Sequence, residues 1–281
     1  MSKIAVVVPT IRIECLQRFG EAWGSLFNKY NVERIYVYDG DKPCIQHNGE
    51  VRELESDLVY NYNDGVRNLG FLYIAQNLPE VEYIVTLDDD TTPYRDTIAD
   101  HISALNMRVP LHWMSTASLY VRGIPYNVRE EAEVVLSHGV WHGVADWDAP
   151  TQLVLGNRPL SFYRGGIPKG VFYPLCGMNI AFKRKMLPYM YYAPMGKKIG
   201  LDRFADIWCG IESKKVIDEN NWAVVTGYSA VNHERASNVW KNLQKEAKGL
   251  ELNENYGQDD YFKLYEERRT AWRDTILKLQ S

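Results

Sequence analysis

The apolar run Val81-Glu82-Tyr83-Ile84-Val85-Thr86-Leu87 ends in three consecutive aspartates, Asp88, Asp89 and Asp90. Such a segment reads as a buried strand that delivers carboxylates to its own tip. Strands apolar on both faces belong to sheets covered by helices, so the run points to an α/β chain. Adjacent carboxylates repel, and three at the mouth of a sheet are best explained by a cation held there, a hard divalent ion being the usual one.

The rest of the N-terminal half repeats the theme. Ile4 to Val8 is β-branched, reads as a buried strand and is closed by Pro9-Thr10; Cys15 to Phe27 then carries apolar residues at helical spacing. Arg34 to Tyr38 is a second short strand ending in Asp39-Gly40-Asp41, and Asn68 to Leu78 is a helix leading into the aspartate strand. Polar residues gather after each strand's C-terminal end, where ligands bind in open parallel sheets. From about residue 107 the pattern changes to short strands, turns and aromatic-rich loops. A helix over Arg203 to Glu219, a strand over Trp222 to Thr226 and an amphipathic helix from about Gln258 to Leu279 follow, the last with Tyr261, Tyr265, Trp272, Ile276 and Leu279 on one face. The expected layout is one domain over 1–255, with a nucleotide-binding half (1–106) and a sugar or acceptor half (107–255), and a C-terminal helix (256–281) able to serve a homo- or hetero-oligomer.

Composition narrows the partners. A net charge of -4 and a pI near 5.9 disfavour nucleic acid. The four cysteines are widely separated and form no CxxC pair, which fits reduced thiols and a cytoplasmic protein. No stretch approaches transmembrane length, and the short apolar start does not resemble a signal peptide.

An Asp-x-Asp after a strand suits an enzyme that holds a nucleotide diphosphate through a metal, with Asp88 and Asp90 on the metal side and Asp88 and Asp89 near the nucleotide. Asp88 to Thr92 also fits the Asp-x-Asp-x-Thr of a phosphatase with Asp88 as nucleophile. Two strands precede it here, and no later apolar strand ends in an acidic pair. Pro9, Thr10 and Arg12 after the first strand, Asp39 after the second, and Arg67-Asn68 at the start of a helix are candidate nucleotide contacts. His233 is a candidate third metal ligand. His138 and His142 stand four apart, but Gly139 and Gly143 argue for loop rather than helix, with His138 near the substrate.

The chain resembles the reversibly glycosylated polypeptides, the UDP-arabinopyranose mutases of plants. The blocks that carry the likeness are Val7-Val8-Pro9-Thr10-Ile11-Arg12, Asp39-Gly40-Asp41, Leu87-Asp88-Asp89-Asp90, Val121-Arg122-Gly123, Val128-Arg129-Glu130, Ser137-His138-Gly139-Val140-Trp141 and Asp146-Trp147-Asp148-Ala149-Pro150-Thr151-Gln152-Leu153. Cys176-Gly177-Met178-Asn179, Ile199 to Trp208, His233 to Asn238 and Asn242 to Gly249 follow in the family's order, so the likeness runs from about residue 4 to 250.

The resemblance implies an A-type glycosyltransferase fold, with a Rossmann-like nucleotide-binding sheet and a mixed acceptor side. It also implies Mn2+ or Mg2+ at the triad, no flavin, and a UDP-sugar substrate whose pyranose and furanose forms interconvert. It implies reversible self-glycosylation of an arginine, placed at Arg129; because a guanidinium stays protonated, either a neighbouring carboxylate such as Asp206 withdraws the proton or the arginine glycosylation lies off the main path. Asp148, Trp208 and His138 are expected on the sugar side, and Lys245 and Lys248 as diphosphate clamps. Thr91 and Ala205 depart from the family, which carries cysteine and aspartate there. A mutase, a glycosyltransferase with an external acceptor such as a glycan or modified nucleobase, and a self-glycosylated carrier subunit all remain compatible with these residues.

Overall fold

The computed structural model describes residues 3–114, 120, 122–156, 158, 161–234 and 238–280. The N-terminal half keeps the expected order: β1 (Ile4–Thr10), α1 (Ile13–Lys29), β2 (Glu33–Tyr38), β3 (Cys44–His47), β4 (Glu50–Glu53), α2 (Asn68–Asn77) and β5 (Tyr83–Leu87). β2 and β5 flank β1 and run parallel to it. β3 and β4 form a hairpin whose two-residue turn, Asn48-Gly49, takes φ of 52° and 81°. Asn-Gly tolerates that left-handed turn, which suits the twist of a hairpin.

The second half contains β6 (Thr91–Pro93), α3 (Thr97–Leu105), β7 (Arg108–Pro110), β8 (Glu131–Gly143), α4 (Ala149–Leu155), β9 (Gly165–Ile167), β10 (Asn179–Lys183), α5 (Ala205–Glu219), β11 (Ala223–His233), α6 (Val239–Glu254) and α7 (Asp260–Gln280). The sheet runs β4-β3-β2-β1-β5-β10-β8-β11-β6, with β7 on β8 and β9 on β11. β10 is antiparallel to both β5 and β8, and β8 pairs parallel with β11. A parallel core, β2-β1-β5, therefore continues into a mixed half, as expected, and the antiparallel β3 and β4 extend its other edge. The loops of the second half are not the whole story, because β8 is a strand of 13 residues. His138 and His142 lie on it rather than in a loop. β11 extends well past Thr226, so His233 is its last residue and not part of a following loop.

Side chains of β1 alternate between two cores, Ala5 and Val7 on one face and Ile4, Val6 and Val8 on the other. The first face is covered by α2, α5 and α7, the second by α1 and α3. In α2 every residue from Asn68 to Ala75 is buried, so this helix needs cover on all sides. α7 supplies part of it. Its Tyr265, Trp272 and Ile276 are buried, the Trp272 ring stacks on Tyr191 at 5.4 Å, and the indole nitrogen donates to the Leu187 carbonyl at 3.1 Å. Of the two expected uses of this apolar face, packing on the domain or on a partner subunit, the structure shows the first, except that Leu279 is 38% exposed.

Cys15, Cys44, Cys176 and Cys209 are free thiols. Among the described residues no helix is long and apolar enough to cross a membrane. Trp272→Ala should lower the unfolding free energy by about 3–5 kcal/mol, whereas Leu279→Ala should stay within about 0.5 kcal/mol of wild type. Denaturant midpoints compare the two directly.

Candidate functional site

β1 and β5 are adjacent and parallel, and ligands of open α/β sheets bind beyond the C-terminal ends of such strands. A cleft of about 780 Å3 lies there. Pro9, Thr10, Arg12, Asp39, Asp88, Asp89, Asp90, His233 and Lys245 all line it, although they come from five separate stretches of sequence.

The three aspartates point three ways. Asp89 turns back to the β1 loop, where its carboxylate accepts from Thr10 Oγ1 at 2.6 Å and from the Arg12 guanidinium. It ties two loops together and has little left for a ligand. Asp88 Oδ1 accepts from Arg67 Nη2 at 2.8 Å, and its backbone N–H is fixed by the Met178 carbonyl. Asp90 faces His233, with Oδ1 3.8 Å from the imidazole Nε2. Burial first, and then the charge of Asp88, push the Asp90 carboxyl up to about 6.

His233 Nδ1 lies 2.8 Å from the Val144 carbonyl oxygen. A carbonyl only accepts, so Nδ1 carries the proton, and in the neutral ring Nε2 presents a lone pair towards Asp90. A histidine whose second nitrogen donates to a carbonyl is oriented as metal-binding histidines are. Two acceptors facing each other beside a further carboxylate fit a hard divalent cation. Among the described residues no three His, Cys, Asp or Glu side chains form a group that could hold a metal ion. Protein groups here would therefore furnish part of a shell and leave the rest to phosphate oxygens and water.

Asp39 sits at the β2 end of the cleft, where its Oδ1 accepts from the Tyr62 and Gly40 backbone N–H groups, both at 2.8 Å. Burial raises its pKa despite those bonds. Lys245 pairs with Asp202 at 2.9 Å on the opposite wall. Tyr62 and Arg203 also line the cleft and hold φ of 60° and 74°. Such left-handed residues outside glycine cluster at ligand sites.

Several expected contacts are corrected by burial. Arg67 is fully buried and gives its hydrogen bonds to Asp64, Asp88, Thr86 Oγ1 and the Gly177 carbonyl, so it supports the cleft from behind rather than meeting a diphosphate. Asn68 is equally buried, bonded through its side chain to the Tyr192 backbone. Trp208 lies in an aromatic cluster with Phe204, Tyr261 and Phe262, and its indole donates to Asn253. His138 is enclosed by Thr226, Tyr173 and the Cys176 backbone, and burial pushes its pKa down to about 4. Asp148 is spent as the N-cap of α4, accepting from Thr151. Lys248 is exposed on α6 and does not line the cleft. Ala205 is buried in the core, so this departure does not remove a cleft-lining group.

Arg129 and Asp206 do not meet. His138 of β8 registers with Ile180, and Ile180 with Thr86 of β5. Glu131 is seven residues earlier, about 23 Å along the strand, towards the edge of the sheet opposite the cleft. Arg129 precedes even that, and its guanidinium lies 3.9 Å from the Tyr126 ring centroid and donates to the Ile124 carbonyl. Asp206 is at the other end, accepting from the Gly177 N–H at 2.6 Å.

Residues that sequence reasoning passed over complete the walls: Asp64, Asp146, Lys197, Asp202 and Arg203. Asp146, Asp202 and Arg203 stand inside blocks quoted for the family likeness, and Asp64 stands three residues before Arg67, a spacing that pairs charges on one helical turn.

Asp206 is pushed up to about 8, by burial first and then by the charge of Asp64. A carboxyl raised above its unfolded value holds a proton in the folded state that the unfolded chain has released, so it lowers stability as pH rises. The unfolding free energy should therefore fall between pH 4 and 8, and Asp206→Asn should flatten that slope while keeping an oxygen for Gly177. Chemical melts at several pH values test this.

The family described as "Reversibly glycosylated polypeptide" matches residues 1–271, which carries the likeness into α7. "Probable UDP-arabinopyranose mutase 4" of Arabidopsis thaliana is 35% identical over 284 residues, covering 89% of this chain and 74% of that protein. "UDP-arabinopyranose mutase 3" of the same plant is 34% identical, covering 88% and 75%. Among solved structures, the catalytic domain of Drosophila beta1,4galactosyltransferase 7 aligns over 86% of this chain and 73% of its own at 12% identity and a TM-score of 0.44. Matched along nearly its whole length, the chain belongs to the reversibly glycosylated polypeptide family.

Proposed function

We propose that this protein is a metal-dependent UDP-sugar enzyme that interconverts the pyranose and furanose forms of a UDP-pentose, UDP-arabinopyranose being the compound in its relatives' names. The observation that carries the reading is the pair of facing acceptors, Asp90 Oδ1 and His233 Nε2 at 3.8 Å, set at the mouth of the β1/β5 crevice. Asp88 and Asp90 with His233 would hold the ion. When bound, that ion supplies neutralisation of the charge that grows on a departing diphosphate.

The chain's own residues do the remainder. Asp39, Pro9 and Thr10 bind the uridine end, where a fixed carboxylate can accept from a base N–H or a ribose hydroxyl. Arg12, Lys197, Arg203 and Lys245 line the cleft and offset the negative charge of substrate and aspartates alike. The carboxyl groups of Asp64 and Asp146 face the same space and can exchange protons with sugar hydroxyls. The remote place of Arg129 favours ring exchange in the cleft without an arginine adduct on its path.

Incubation with UDP-arabinopyranose and Mn2+, with the nucleotide sugars resolved by chromatography, is the direct test. UDP-arabinofuranose should accumulate and EDTA should abolish it. Asp90→Asn and His233→Ala should each lower kcat/KM by about 100-fold or more. Release of UDP with no furanose would reassign the protein as a transferase, and indifference to EDTA would remove the metal.

A further inference from the structure

The sugar end of the cleft holds a carboxyl group that neither the nucleotide nor the metal accounts for. Asp64 lines the cleft, and its side chain is 29% exposed. Its Oδ1 accepts from Arg67 Nη2, the same nitrogen that donates to Asp88 Oδ1. Two carboxylates on one buried guanidinium nitrogen are held at a fixed short separation. On the mutase reading Asp88 lies on the diphosphate side, which puts Asp64 near the atoms joined directly to the diphosphate, the anomeric carbon and its ring.

Further buried polar groups stand behind Arg67. Tyr192 is 1% exposed, and its hydroxyl has no hydrogen-bond partner among the described residues. That hydroxyl and the Asp206 side chain converge on Gly177, each about 3 Å from where a Cβ would stand (3.1 and 2.9 Å). The Arg67 guanidinium lies 4.8 Å from the centre of the Tyr192 ring. Tyr192 and Asp206 do not line the cleft whereas Asp64 does, so among the groups around Arg67 other than Asp88 it is Asp64 that a substrate in the cleft can meet.

We propose that Asp64 is the catalytic acid–base of ring exchange, taking the proton of the sugar's O4 hydroxyl and returning it to the ring oxygen O5. This role rests on the mutase reading above. The C1–diphosphate bond breaks with its electron pair going to the phosphate oxygen. O4 gives its proton to the Asp64 carboxylate and bonds C1, which makes a bicyclic acetal. Asp64 then delivers the proton to O5 as the C1–O5 bond breaks and the phosphate oxygen bonds C1 again. One proton is taken and one returned, so a single carboxyl group suffices and no outside reagent is consumed.

The experiment uses the full chain, Mn2+ and UDP-arabinopyranose carrying heavy oxygen in the bridge to C1. Scrambling of that label into the non-bridging phosphate positions reports C1–O cleavage, and furanose reports ring exchange. In Asp64→Asn the amide keeps an oxygen for Arg67. Furanose formation should fall by about 100-fold or more while label scrambling and UDP affinity stay within about threefold of wild type. Asp64→Glu should recover part of the furanose rate. Retained furanose formation in Asp64→Asn overturns the assignment, as does loss of scrambling or of UDP binding alongside it. A wild-type protein that makes no furanose removes the mutase reading itself, and the role of Asp64 falls with it.

Discussion

A single buried guanidinium holds the two halves of the site in register. Arg67, at the junction of a short turn and α2, reaches Asp64 on its own turn, Asp88 at the tip of β5, Thr86 within β5 and the Gly177 carbonyl before β10. Burying a cation is expensive unless it is paired and fully hydrogen-bonded, and Arg67 meets both conditions through partners from separate parts of the chain. Losing it would leave Asp64 and Asp88 as like charges with no shared partner. The positions of Asp88 and of the Asp64 carboxyl group are therefore set by one side chain that does not itself line the cleft.

The same economy governs the acidic triad. Three adjacent carboxylates are tolerable because each is taken by a different group: Arg67 for Asp88, Thr10 and Arg12 for Asp89, and the His233 side of the cleft for Asp90. Asp90 has the loosest cationic contact of the three, with Arg12 3.7 Å away and already engaged with Asp89. Electrostatic stress is thus concentrated at one oxygen pair, which is where a bound cation gives the greatest relief.

The strand-and-tip logic of β1, β2 and β5 was legible because both-face-apolar runs followed by polar residues have few other readings. The Asn48-Gly49 turn was equally legible and was passed over. β8 was hidden by Gly139, which looks like a breaker. A Cβ there would come within 2.0 Å of the Asn179 side chain, so the glycine marks close approach of two strands rather than a loop. Arg67, Trp208 and His138 were misplaced for a common reason. Sequence reports that a polar or aromatic residue lies near a strand end, but the direction of its side chain depends on packing from segments far away in sequence. His233, expected just past a strand over Trp222 to Thr226, is instead the last residue of the longer β11, which carries it to the triad.

α7 has one more bearing on this protein. α2 belongs to the N-terminal half and is buried from Asn68 to Ala75, yet part of its cover comes from a helix made much later in the chain. Domains assemble as units during synthesis, and incomplete ones expose apolar surface. A chain emerging from the ribosome therefore has β1, β2 and β5 available early but cannot seal the helix behind them until α7 arrives. A ligand that binds the cleft in front of α2 favours the sealed form over the open one by mass action.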